Sequence, residues 1–110
     1  MHVISRKPIR EFCKIHPKAE PSLERWFKIV EKARWQSFED VRKAFSSADR
    51  VGEFLIFNIS GNHYRLIARL KDYCHLQDNG LLNNAAIFIK KICTHDEYSK
   101  LIIPDDLKDR

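Results

Sequence analysis

Arg65, Lys90, His95 and Tyr98 are the residues with which this chain could do chemistry. Together their types suit the cleavage of RNA without a metal. A base takes the proton from a ribose 2′-OH, and the freed oxygen attacks the adjacent phosphorus in line. Arginine or lysine stabilises the added negative charge on the phosphorane. Histidine or tyrosine protonates the leaving 5′-oxygen. Each such contribution lowers the barrier by a few kcal/mol. Taken singly, each residue has a plainer reading. Arg65 and Arg69 could form a solvated sheet face, His95 could be an ordinary first-turn residue, and Tyr98 could pack inward with its hydroxyl bonded.

Two stretches must position these groups. Phe54 to Ile59 is an almost unbroken apolar run, the pattern of a strand buried on both faces. Ser60, Gly61 and Asn62 tolerate the backbone angles of a tight turn. The returning strand alternates. Tyr64, Leu66, Ala68 and Leu70 share one face, and His63, Arg65, Ile67, Arg69 and Lys71 share the other. An apolar face should therefore back a basic one, the candidate RNA-binding face. Ala85 to Cys93 reads as a further strand, interrupted by Lys90 and Lys91. Ile87 and Ile89 put its core side on odd numbers, which favours Lys90 over Lys91 for catalysis and leaves Lys91 as an RNA contact. Thr94 and Glu97 have the spacing of a capping box. His95 and Tyr98, three apart on the helix it opens, share a side.

The first half of the chain reads as helices. His2 to Ser5 is a short edge strand, and Ser5 caps a helix with Pro8 in its first turn. Ile9, Phe12, Cys13 and His16 form its stripe, and His16-Pro17 ends it. Pro21 and Ser22 open a longer helix whose stripe is Leu23, Trp26, Phe27, Val30 and Ala33. Ser37 caps a third, short helix with Asp40 in its first turn. Residues 46–52 read as a loop into the sheet. Residues 72–84 form a long connection rich in turn residues, and 104–110 a polar tail after one domain spanning 1–103. The order β-α-α-α-β-β-β-α predicts an α+β domain of two layers.

Composition fits that frame. With 110 residues and 44% hydrophobic content, the chain supports one cored domain. No apolar run is long enough to span a bilayer and no signal-peptide pattern opens the chain, so a cytoplasmic location is expected. Cys13, Cys74 and Cys93 are odd in number and widely spaced, the pattern of free thiols. The net charge is +5 and the pI about 9.2. Residues 1–50 carry 12 Lys/Arg against 7 Asp/Glu, whereas residues 51–110 carry 8 of each. A basic surface favours polyanionic partners. Gly-rich phosphate loops, HExxH and GxSxG are absent from the sequence, which argues against nucleotide cofactors and metalloprotease chemistry.

Two motifs carry a family resemblance. Phe57-Asn58-Ile59-x-Gly61-Asn62-x-Tyr64-Arg65-Leu66-Ile67 is one, and Thr94-His95-x-Glu97-Tyr98 is the other. Together they resemble the HigB-type toxins of bacterial toxin–antitoxin pairs, within the RelE-like group of mRNA interferases. Val3-Ile4-Ser5, His16-Pro17, and Trp35 with Phe38 to Asp40 fit the same pattern. The resemblance implies a RelE-like fold, with N-terminal helices on an antiparallel β-sheet and a short C-terminal helix. It also implies ribosome-dependent, metal-independent cleavage of mRNA in the A site, no cofactor, and a HigA-type helix-turn-helix antitoxin as partner. By motif position Arg65, Lys90, His95 and Tyr98 would line the site, and Asn62 would shape the turn beside it. The long stretch 72–84, Lys91 and Cys93 depart from the expected pattern.

An alternative keeps the basic face without the chemistry. A non-catalytic RNA-binding module would hold phosphates on the same cations and stack bases on Tyr64 or Phe88. A protein that only meets an acidic partner chain is a third reading of the same face.

Overall fold

Short local signals build the helical layer. The computed structural model describes residues 2–35, 37–52, 54–61, 63–71 and 86–100. A two-residue strand, β1 (His2–Val3), leads into α1 (Lys7–Ile15). Ser5 does not occupy the N-cap position, which falls on Arg6; its Oγ accepts the Lys7 N–H at 3.1 Å from one residue further out. His16 ends the helix, and a single 3-10 turn (Pro17–Ala19) passes directly into α2 (Glu20–Lys32). Ser37 caps α3 (Phe38–Ala44) as expected, its Oγ accepting the Asp40 N–H at 3.4 Å.

The stripes expected from spacing are the buried ones. Ile9 on α1 and Leu23, Trp26 and Val30 on α2 lie in the core. They meet Leu55, Phe57, Leu66, Ala68 and Ile87 from the sheet. Phe57 is the centre of an aromatic group, with Trp26 edge-on at 5.5 Å, Phe45 edge-on at 5.0 Å and Trp35 stacked at 6.3 Å. Each fully buried side chain of this size contributes about 1.5–3 kcal/mol of hydrophobic stabilisation.

The sheet has five strands in the order β1-β5-β4-β3-β2. These are β2 (Asp49–Val51), β3 (Phe54–Ile59), β4 (Tyr64–Lys71) and β5 (Ala86–Thr94), followed by α4 (His95–Ser99). The α+β, RelE-like arrangement is the one expected, with two additions. Residues 49–51, expected in a loop, form an edge strand antiparallel to β3. β1 pairs with β5 in parallel, so the sheet is antiparallel over four strands and mixed at one edge.

The second face of the sheet is less open than strict alternation suggests. Phe54, Ile56, Ile67 and Cys93 form a separate buried cluster there, with Val51 and Tyr98 packed against it. A run such as Phe54–Ile59 has apolar side chains on both faces, so both must be covered. The cations behind the net positive charge lie elsewhere. Lys7, Arg10, Lys14, Arg25, Lys28 and Lys32 are exposed on α1 and α2, the layer that covers the opposite face. Among the described residues no helix is long and apolar enough to cross a membrane.

Candidate active site

The hairpin aims the first of the candidate residues. Ser60 and Gly61 take φ of 51° and 64°, which lets the chain reverse within a few residues. The ladder then starts at Ile59 opposite Tyr64 and continues with Asn58 opposite Arg65. Residues directly opposite in an antiparallel pair put their side chains on one face. On the other side of β4, Arg65 stands opposite Cys93 and Ile67 opposite Lys91. Arg65 is half-buried, and its Nη1 donates to the Tyr64 carbonyl at 3.3 Å.

The capping box sets α4 over this face. The Thr94 N–H donates to Glu97 Oε1 at 2.9 Å, and the Glu97 N–H donates to Thr94 Oγ1 at 3.2 Å. One more bond ties the helix start to the hairpin: the His95 N–H donates to the His63 carbonyl at 3.1 Å. The first bond of the box favours the ionised Glu97 carboxylate. The Thr94 backbone N–H is the main reason its pKa lies below the ordinary value; desolvation opposes it, and the Thr94 side chain, Lys91 and His16 add to the lowering.

Held in this way, Tyr98 lies half-buried on the second apolar cluster, with the Arg65 guanidinium 5.6 Å from its ring centroid. That is cation–π range. Burial raises the phenol's pKa; the Asp49 carboxylate adds to the rise and Arg65 opposes it. Burial also pushes the Cys93 thiol up, with Glu97 adding and with Lys91 and Arg65 opposing. Cys93 is therefore a buried core thiol beneath the site.

The structure brings together some of the expected residues and separates others. Arg65 and Tyr98 meet. His95 is exposed in the first turn of α4, beside the hairpin end where His63 is also exposed. His63 belongs to the turn and not to the strand. Arg69 shares the Arg65 face, opposite Phe54 and Phe88, but buried Ile67 lies between the two arginines. Four residues along a strand span about 13 Å, so Arg69 lies away from Tyr98. Asn62, the side chain of Lys71, and residues 72–84 and 104–110 fall outside the described residues.

The two lysines need a correction. Between Ile67 and Ala68 the register passes from Lys91 to Ile89, which makes Lys90 the extra residue of a β-bulge. Parity counted from Ile87 and Ile89 does not survive the bulge. By register it is Lys91 that joins Arg65 and Ile67 on the site face; Lys90 is half-buried at the bend. Tyr64 is also misplaced as a stacking platform. It packs on the helical side, edge-on to Phe12 at 5.4 Å and tilted against His16 at 5.6 Å. Two residues were missed. Asn58 sits directly opposite Arg65, and Asp49 faces the same side from β2. Only the strand register could have revealed them.

Two comparisons with known proteins bear on this arrangement. Residues 19–101 match the family model of the HigB toxin, described as the RelE-like toxic component of a toxin–antitoxin system. The chain is also 26% identical over 104 residues to the mRNA interferase HigB of Escherichia coli O6:H1, covering 92% of this chain and 91% of that protein. The matched region holds the hairpin, the bulged strand and the capped helix that assemble the site. The chain belongs to the HigB toxin family, the RelE-like toxic components of toxin–antitoxin systems.

Proposed function

We propose that this protein is an mRNA endoribonuclease that cuts mRNA on the ribosome, in the A site, and so inhibits translation. The observation that carries the reading is the Arg65 guanidinium held against Tyr98 on the sheet face beneath α4. A phosphodiester seated there meets a cation and a phenol at once. The 2′-oxygen gives up its proton to a base and attacks phosphorus, and the P–O5′ bond breaks. Arg65 stabilises the extra charge on the phosphorane. Tyr98 gives its proton to the departing 5′-oxygen, with His95, at the first turn of the same helix, as the second candidate for that role. Lys90 and Lys91 contribute positive charge to the phosphate, and His63, Arg69, Lys71 and Asn62 contact the flanking RNA. The products are a 2′,3′-cyclic phosphate and a 5′-hydroxyl. The steps require no cofactor.

The partner would be a HigA-type helix-turn-helix antitoxin, with the pair acting in the cytoplasm. Primer extension on an mRNA under translation, with and without the protein, tests the reading. Cuts that need both ribosomes and Arg65 support it, and a 2′-deoxy substitution at the cut nucleotide should abolish them. Losing one electrostatic stabiliser of this kind costs on the order of 10²–10³ in rate, the expectation for Arg65→Ala. A folded Arg65→Ala protein that cuts at the wild-type rate sinks the reading. One observation favours a second reading: Phe88 and Arg69 stand opposite each other on the site face, a pairing suited to stacking and phosphate binding without cleavage. Salt-dependent RNA binding with no cut in any condition would establish it.

A further inference from the structure

The reaction needs a base, and β2 carries a group suited to the task. The register pairs Asp49 with Ile56 and Val51 with Phe54. Ile56 and Phe54 belong to the cluster on which Tyr98 lies, and Val51 packs on the same cluster. Asp49 and Val51 therefore face the side that Arg65 and Tyr98 occupy. Among the described sheet residues, the register places one carboxylate on this face, and it is exposed.

We propose that Asp49 is a catalytic residue, the general base that takes the proton from the attacking 2′-OH, with Tyr98 protonating the leaving oxygen on the other side of the phosphorus. The proposal rests on the cleavage reading above. An in-line displacement needs its base and its acid on opposite sides of the phosphorus. Asp49 comes from one edge of the sheet, and Tyr98 reaches over the face from the helix that follows β5. They are close enough for the Asp49 charge to bear on the phenol. Carboxylates as a class enter reactions at neutral pH already in base form, whereas ammonium groups must first lose a proton. A carboxylate beside a phosphodiester also repels it. Arg65, and Lys91 opposite Ile67, supply the compensating charge on the same face. The proton balance closes: one proton leaves the 2′-oxygen for Asp49, one leaves Tyr98 for the 5′-oxygen, and solvent restores both groups.

Asp49 also has a local role that the test must separate. Its Oδ1 accepts the Arg50 N–H at 2.8 Å. Asp49→Asn retains an oxygen for that bond and removes the base, whereas Asp49→Ala removes both. The assay is single-turnover cleavage of mRNA on stalled, translating ribosomes at saturating protein, with thermal unfolding as the folding control. A general base is worth about 10²–10⁴ in rate, so Asp49→Asn should lose at least about 10²-fold. The half-saturating protein concentration should stay at the wild-type value, and Asp49→Glu should recover part of the rate. A folded Asp49→Asn protein that cleaves within tenfold of wild type overturns the assignment. So does a loss confined to Asp49→Ala, which would mark the Arg50 contact as the cause. If the wild-type protein cuts nothing, the cleavage reading fails and this proposal falls with it; an active Asp49→Asn overturns this proposal alone.

Discussion

Replacing Glu97 with alanine should loosen Tyr98 without unfolding the protein. Glu97 forms one arm of the capping box and Thr94 the other, through bonds of 2.9 Å and 3.2 Å. The helix they hold has five residues, far below the length at which a helix stands alone. Its stability is thus borrowed from the box, from the bond to the His63 carbonyl, and from Tyr98 on the apolar cluster. Losing a cap costs about 1 kcal/mol, which is roughly a fivefold rise in the open population of the helix. The two arms share one geometry, so Thr94→Ala together with Glu97→Ala should cost less than twice the single change. Native-state hydrogen exchange separates the outcomes. Amides of α4 should exchange about fivefold faster in Glu97→Ala, those of β3 and β4 should be unchanged, and RNA cleavage should fall. The same loosening should appear on acidification. The Glu97 pKa is lowered in the folded state, so its contribution is present above the unfolded pKa and lost as pH falls through the folded one. Unchanged α4 exchange with full cleavage in Glu97→Ala would refute the argument that the box seats the tyrosine.

Other substitutions probe the rest of the site. Lys91→Ala should reduce cleavage more than Lys90→Ala, measured on the same ribosome-bound mRNA, because the register puts Lys91 on the Arg65 face. Tyr98→Phe keeps the ring that packs on the second apolar cluster, so its Tm should match wild type while its cleavage rate falls by about 10²-fold or more. Ile67→Ala removes a side chain with 0% exposure, and denaturant unfolding should show a loss of about 2–4 kcal/mol. In a thiol-labelling time course Cys93 should react far more slowly in the folded than in the unfolded protein, since burial both hides the thiol and disfavours its thiolate.

What the sequence made legible was local. The Ser37 cap, the Thr94–Glu97 box, the stop at His16-Pro17 and the α2 stripe each depend on residues within one or two turns. All were readable before any contact was known. What was hidden depended on partners distant in the chain. Asp49 to Val51 form a strand because β3 offers its edge, and nothing in those three residues announces it. Parity favours Lys90 over Lys91 for catalysis only when it is carried across a bulge that the ladder with β4 reveals. The apolar cluster under Tyr98 was foreshadowed by the unbroken run Phe54–Ile59, whose second face also needed cover. Net charge and basic sheet face looked like one signal, yet the helical cations and Arg65 lie on opposite sides of the molecule.

Deleting Lys90 would leave β5 in perfect alternation. Ile87, Ile89 and Ile92 would still face the helices, and Phe88, Lys91 and Cys93 would still face Arg65. Gaining or losing a residue elsewhere in the strand would turn every side chain beyond it to the wrong layer. The bend is thus the one point where this strand can change length without disturbing either core.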